Sequence, residues 1–261
     1  MTNRATSASF AARNAMEILA AANPPPPSEA PVTFTLEPFC FDGVLGVWYA
    51  EFTRQQLGGT LTPYVKIPYV ASGLGSDVRE GAARIDEWMQ RGSIQAGDTV
   101  EGFSLGAQTV MYYLSEYTPP PGVKFMLVGC TFTRNQEVLD YGSWFWGTGG
   151  VPWDIENEVT MIAREFDGYS DKPDVEDAEG YDLAQRIARD GRYVLHDYVT
   201  AQLANRANVV DMRGNITAIL VPTQWLPDYA SEDDYDAING AYSGPRPTTA
   251  QRAAATEEQV E

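Results

Sequence analysis

Five residues, Gly102-Phe103-Ser104-Leu105-Gly106, constrain the fold of this chain more than any other segment. Thr99-Val100-Glu101 before them reads as a short strand. Ala107, Val110, Met111 and Leu114 after them recur at helical spacing, and Pro119-Pro120-Pro121 ends the run. A strand that bends within a few residues into a helix needs small residues at the bend, because side chains there would collide across the turn. Such a unit belongs to a parallel sheet flanked by helices, with its site at the carboxyl ends of the strands. The pattern is G-x-S-x-G, a turn that lifts a serine hydroxyl clear of the backbone. Glycine and serine are common in ordinary turns, so the strand before and the helix after matter as much as the motif.

The rest of the chain alternates in the same way. Val32-Thr33-Phe34-Thr35-Leu36 reads as a strand stopped by Pro38. Residues 64–70 read as extended, and Pro63 and Pro68 confine them to a sheet edge or a strand end. Asp77 with Glu80 forms an expected capping box for a helix that puts Val78, Ala82, Ile85, Trp88 and Met89 on one face. Residues 123–128 and 159–163 read as strands, and residues 183–189 as a helix ended by Gly191.

A serine nucleophile needs a base near neutral pH, and histidine is the usual one. The chain has one histidine in 261 residues, His196. Between Ser104 and His196 lies Asp167-Gly168-Tyr169-Ser170-Asp171-Lys172-Pro173, which offers two acids. The chain order Ser, Asp, His is that of the α/β-hydrolases. Asp171, three residues after a glycine and two before a proline, is the preferred acid, and Asp167 is the alternative. In this reading Ser104 attacks an ester carbonyl, His196 takes its proton and the acid holds the imidazole. The expected oxyanion donors are the Leu105 N–H and a group near Asp42 or Gly43, in the loop after the first strand. Residues 141–153 are rich in aromatics and glycine. Trp144, Phe145 and Trp146 read either as a flap over an apolar substrate or as filling for a gap in the scaffold.

Composition excludes several classes. The net charge of −18 repels phosphate backbones, so no nucleic-acid partner is expected. No run approaches the ~18 apolar residues of a membrane span, and residues 1–22 lack the apolar stretch of a secretory signal. Two cysteines, Cys40 and Cys130, form no disulfide framework. In the strand order that the family resemblance described below implies, they flank the strand of Ser104, about two strand spacings apart, and are expected to be free thiols. With one histidine, no metal site or cofactor is expected. Asp234 to Gly240 misses the spacing of a calcium loop and reads as an acidic surface loop.

The ends stand apart. Residues 1–31 read as an Ala-rich helix followed by Pro24-Pro25-Pro26-Pro27, a tether. Residues 230–261 read as an acidic surface tail with little to bury. The folded body is then residues 32–229.

This body resembles the PE-PPE domain, a cutinase-like α/β serine hydrolase of mycobacterial PE and PPE proteins. The resemblance covers about residues 60–228. It is carried by Val65-Lys66-Ile67-Pro68-Tyr69, Ser76 to Gly81, Gly102 to Ala107, Phe166 to Pro173, His196-Asp197-Tyr198 and Leu226-Pro227. It implies the roles of nucleophile, acid and base for Ser104, Asp171 and His196, and an ester or lipid substrate. Leu105 stands where the family carries a glutamine, and Phe39 to Gly43 departs from its glycine-rich loop. A helix and proline spacer stand where a PE or PPE domain is expected. That points to a mycobacteriophage particle component, a minor tail protein bound to other virion proteins through both ends. The alternative is a retired structural or host-envelope-binding protein that keeps the hydrolase fold.

Overall fold

In the computed structural model, the described residues are 24–38, 64–69, 71, 75–129, 151–152, 154–192, 194–199 and 201–258. Seven strands form one sheet: β1 (Thr33–Leu36), β2 (Tyr64–Lys66), β3 (Thr99–Phe103), β4 (Lys124–Val128), β5 (Val159–Arg164), β6 (Val209–Arg213) and β7 (Ile216–Val221). Their spatial order is β2-β1-β3-β4-β5-β7-β6, and every pairing is parallel except β6 with β7. The helices are α1 (Gly75–Gln90), α2 (Leu105–Glu116), α3 (Tyr181–Gly191), α4 (Tyr235–Gly240) and α5 (Thr249–Glu258). This is a mixed α/β fold, a mostly parallel sheet flanked by helices. No helix among the described residues is long and apolar enough to cross a membrane.

Strand alternation separates the two faces of the sheet. Phe34, Leu36, Val100, Phe125, Leu127, Met161 and Ala163 point to one face, where Ile85 and Trp88 of α1 and Val110 and Tyr113 of α2 cover them. Full burial of a side chain such as Leu127 is worth about 1.5–3 kcal/mol. On the other face Phe103, Val128, Ile162, Ile219 and Val221 pack with Tyr198 and Ala201. β2 lies at the sheet edge, as its flanking prolines predict. β3 lies between β1 and β4, the expected order, while Cys40 and Cys130 fall outside the described residues.

Two expectations change, and one hairpin is new. α1 begins at Gly75, so Asp77 lies within its first turn rather than at a cap, where its charge favours the helix N-terminus. The β6–β7 hairpin turns at Gly214-Asn215, a two-residue pair of the kind that favours a tight hairpin. Most important, residues 230–258 are not a solvated tail. Ser231 and Asp234 form a capping box, and Asp234 to Gly240 is helix rather than loop. Tyr235, Ile238, Ala241 and Tyr242 pack with Phe166, Ile187 and Leu195 in a third apolar cluster beyond the strand ends. At the other end, the proline spacer lies along the body, its Pro25 and Ser28 carbonyls accepting hydrogen bonds from the Ser93 and Gln95 side chains. Residues 1–23 fall outside the described residues.

Candidate active site

β3 ends and α2 begins at Ser104, whose backbone lies at φ 55° and ψ −114°. That region is costly for a residue with a Cβ, by roughly 1–3 kcal/mol. Tight packing enforces it. A Cβ on Gly102 would lie 2.3 Å from the Gly106 carbonyl, and one on Gly106 would lie 2.2 Å from the Leu36 carbonyl oxygen. The bend therefore closes on itself and on the end of β1. Serine at a helix N-cap normally spends its hydroxyl on a backbone N–H of the first turn. Ser104 makes no such side-chain bond. Its hydroxyl is left uncommitted to the helix, and the Leu105 N–H, at the first position of α2, has no acceptor within the helix.

His196 lies in the turn after α3 and is mostly buried, with 15% of its side chain exposed. Its ring stacks on Phe103, the neighbour of Ser104, at 5.1 Å between centroids. Tyr169 packs against it at 4.8 Å. Gly129, at the end of β4, makes room: a Cβ there would lie 3.0 Å from His196 Cε1.

The structure pairs His196 with Asp167 and not with Asp171. Nδ1 lies 2.7 Å from Asp167 Oδ2. A carboxylate only accepts, so Nδ1 carries the proton and Nε2 is left as the acceptor. Nε2 is buried and has no hydrogen-bond partner among the described residues. Asp167 is fully buried, and Oδ2 also takes the Ser170 and Tyr198 hydroxyls at 2.8 and 2.7 Å. Burial, then the Asp167 charge, pushes the Tyr198 hydroxyl well above the ordinary range, so it stays a donor.

Asp171 is used elsewhere. Its Oδ2 accepts the Phe166 N–H at 2.9 Å, and both its oxygens face Arg246 Nη1. Arg252 of α5 grips both oxygens of Glu165, with Nε at 3.1 and 3.0 Å. Burial pushes the Glu165 carboxyl up, and the two arginines oppose it. The C-terminal segment thus clamps the turn that carries Asp167. Phe166 within that turn sits at φ 62°, and it and Ser104 are the only non-glycine residues with positive φ among the described residues. Both strained positions lie at the candidate chemical groups, where stored strain tends to cluster.

Sequence reasoning missed Tyr198, Ser170, Glu165, Arg246 and Arg252 as parts of this site. His196-Asp197-Tyr198 carried a signal for Tyr198. Nothing local marked the arginines, which lie more than 70 residues from Asp171 and Glu165 in the chain. Asp42, Gly43, Trp144, Phe145 and Trp146 fall outside the described residues. No group of three His, Cys, Asp or Glu among the described residues is placed to hold a metal.

No protein-family model matches this chain, and no curated protein matches it. It is similar in structure to carboxylesterase CesB (YbfK) from Bacillus subtilis, at 12% identity and a TM-score of 0.36, over 82% of this chain and 90% of that one. The roles of the residues above rest on the geometry of this chain alone.

Proposed function

We propose that this chain is a serine hydrolase of carboxylic esters, with Ser104 as nucleophile, His196 as base and Asp167 as its orienting acid. The observation that carries this reading is the strained Ser104 with an uncommitted hydroxyl, directly following Phe103, whose ring stacks on an imidazole held at Nδ1 by a buried carboxylate. His196 Nε2 removes the Ser104 proton as Oγ attacks the carbonyl. The Leu105 N–H, at the positive end of α2, faces the developing oxyanion. His196 then passes the proton to the leaving alcohol, and water repeats the cycle on the acyl-enzyme. Catalytic hydrogen bonds often tighten only with substrate bound, so a free Nε2 suits this role.

The finer reading is an ester or lipid substrate of the mycobacterial envelope, after the PE-PPE resemblance, with the chain carried on a phage tail. Attachment now rests on residues 1–23, because residues 230–258 bury their apolar side chains on their own body.

The test is a fluorophosphonate probe with a p-nitrophenyl ester assay. Labelling should map to Ser104, and Ser104→Ala should lose turnover by roughly 10³-fold or more. Wild-type turnover in Ser104→Ala ends this reading.

A further inference from the structure

We propose that Tyr198 and Ser170 are positioning residues that set how strongly Asp167 holds a protonated His196, by sharing the oxygen that faces the imidazole. This rests on the reading of Asp167 and His196 given above.

The geometry is specific to one atom. Asp167 Oδ2 receives His196 Nδ1 at 2.7 Å, Tyr198 OH at 2.7 Å and Ser170 Oγ at 2.8 Å. Its partner Oδ1 takes the Tyr169 N–H at 3.0 Å. The Tyr198 oxygen accepts the Arg164 N–H at 2.9 Å, which leaves its single proton for donation. Ser170 Oγ lies 2.8 Å from the Tyr198 oxygen as well, so Oδ2 and the two hydroxyls form a closed triangle. All three residues are fully buried, where such bonds are strongest.

A carboxylate that accepts hydrogen bonds from neutral donors is a weaker base. Each hydroxyl on Oδ2 therefore draws charge away from the bond that stabilises the imidazolium formed during attack. Around the pair, Arg164 at the end of β5 and Lys172 in the acid turn act on Asp167, Asp197 acts on Arg164, Arg192 acts on Lys172, and the Tyr169 ring packs on His196. Neither substitution below alters any of them. Removing one donor concentrates charge on Oδ2 and moves the protonation midpoint of His196 upward. A shift of roughly half to one pH unit is expected, since each hydroxyl supplies only part of the charge dispersal on Oδ2.

His196 is the only histidine, so the full-length chain without a histidine tag gives a single imidazole titration by NMR. The curve is recorded for wild type, Tyr198→Phe, Ser170→Ala and each of these combined with Asp167→Asn. The acid limb of kcat/KM for a p-nitrophenyl ester is measured beside it. The proposal expects an upward midpoint in both single variants, the same displacement in the acid limb, and no further effect of either change once Asp167→Asn is present. Tyr198→Phe also strips the acceptor from the Arg164 N–H. If that variant does not fold, Ser170→Ala decides alone. An unchanged midpoint in the folded variants, or a shift that persists with Asp167→Asn, overturns the proposal. Failure of Ser104 to label while the midpoint moves would instead remove the hydrolase reading and leave the shared-oxygen network standing.

Discussion

Arg246 holds Asp171 through one nitrogen, with Nη1 at 2.7 Å from Oδ1 and 2.8 Å from Oδ2. The same guanidinium lies 3.8 Å over the Tyr242 ring and reaches Glu165 with Nη2 at 3.4 Å. Asp171 is thus a structural anion that fastens residues 242–246 to the turn of Asp167.

The two aspartates of this turn should consequently fail in different ways. Asp167→Asn should lower kcat by roughly 10³–10⁴-fold, as loss of the orienting acid does in other triads. Asp171→Asn leaves a buried guanidinium short of its counter-charge. It should cost about 3 kcal/mol of stability in urea denaturation, with kcat per folded molecule within about tenfold of wild type. A folded, stable Asp171→Asn with abolished turnover would return the acid role to Asp171.

Gly129 should tolerate no side chain. Its φ is 63°, and a Cβ would meet His196, Phe103 and Tyr198 at 3.0, 3.0 and 3.1 Å. Gly129→Ala should cost about 1–2 kcal/mol through the left-handed backbone. The displaced imidazole should cost more than that in activity, on the order of 10²-fold in kcat. Melting temperature and kcat, measured together, separate the two effects. A kcat that follows only the folded fraction would show that His196 does not need this gap.

Glu101 should make stability depend on pH. It is fully buried on β3, and neither carboxylate oxygen has a hydrogen-bond partner among the described residues. Burial, then the Glu37 charge, pushes its carboxyl up to about 8. The folded chain therefore keeps a proton that the unfolded chain releases near pH 4.3. The associated stability is complete below that unfolded value and is lost as pH rises toward 8. Between pH 5.5 and 7 the wild type should lose about 2 kcal/mol relative to Glu101→Gln, at ~1.4 kcal/mol per pH unit. Urea denaturation at the two pH values measures it. Parallel pH dependence in the two proteins would show that Glu101 titrates in the ordinary range.

The sequence by itself determined the parts of this protein that depend on neighbours in the chain. Gly102, Ser104 and Gly106 specify a bend because the clashes they avoid involve the bend itself and the strand beside it. Strand-like runs at residues 32–36, 123–128 and 159–163, with helical spacing between them at residues 107–114, determined a parallel sheet with helices, because parallel neighbours need a crossover connection. A single histidine reduced the choice of base to one.

Only the tertiary structure decided between Asp167 and Asp171. The two are four residues apart in a tight turn, where Asp171 N–H bonds back to the Asp167 carbonyl, and sequence pattern does not reveal which carboxylate faces the imidazole. The choice depends on Arg246, which arrives from 75 residues away and occupies Asp171. The same holds for residues 230–258. They are poor in large apolar residues and read as a tail, yet they are anchored by Arg246 and Arg252 on buried carboxylates. A charge pair between distant segments leaves no periodic trace in either one, and its energy exists only once the fold has excluded water from both partners.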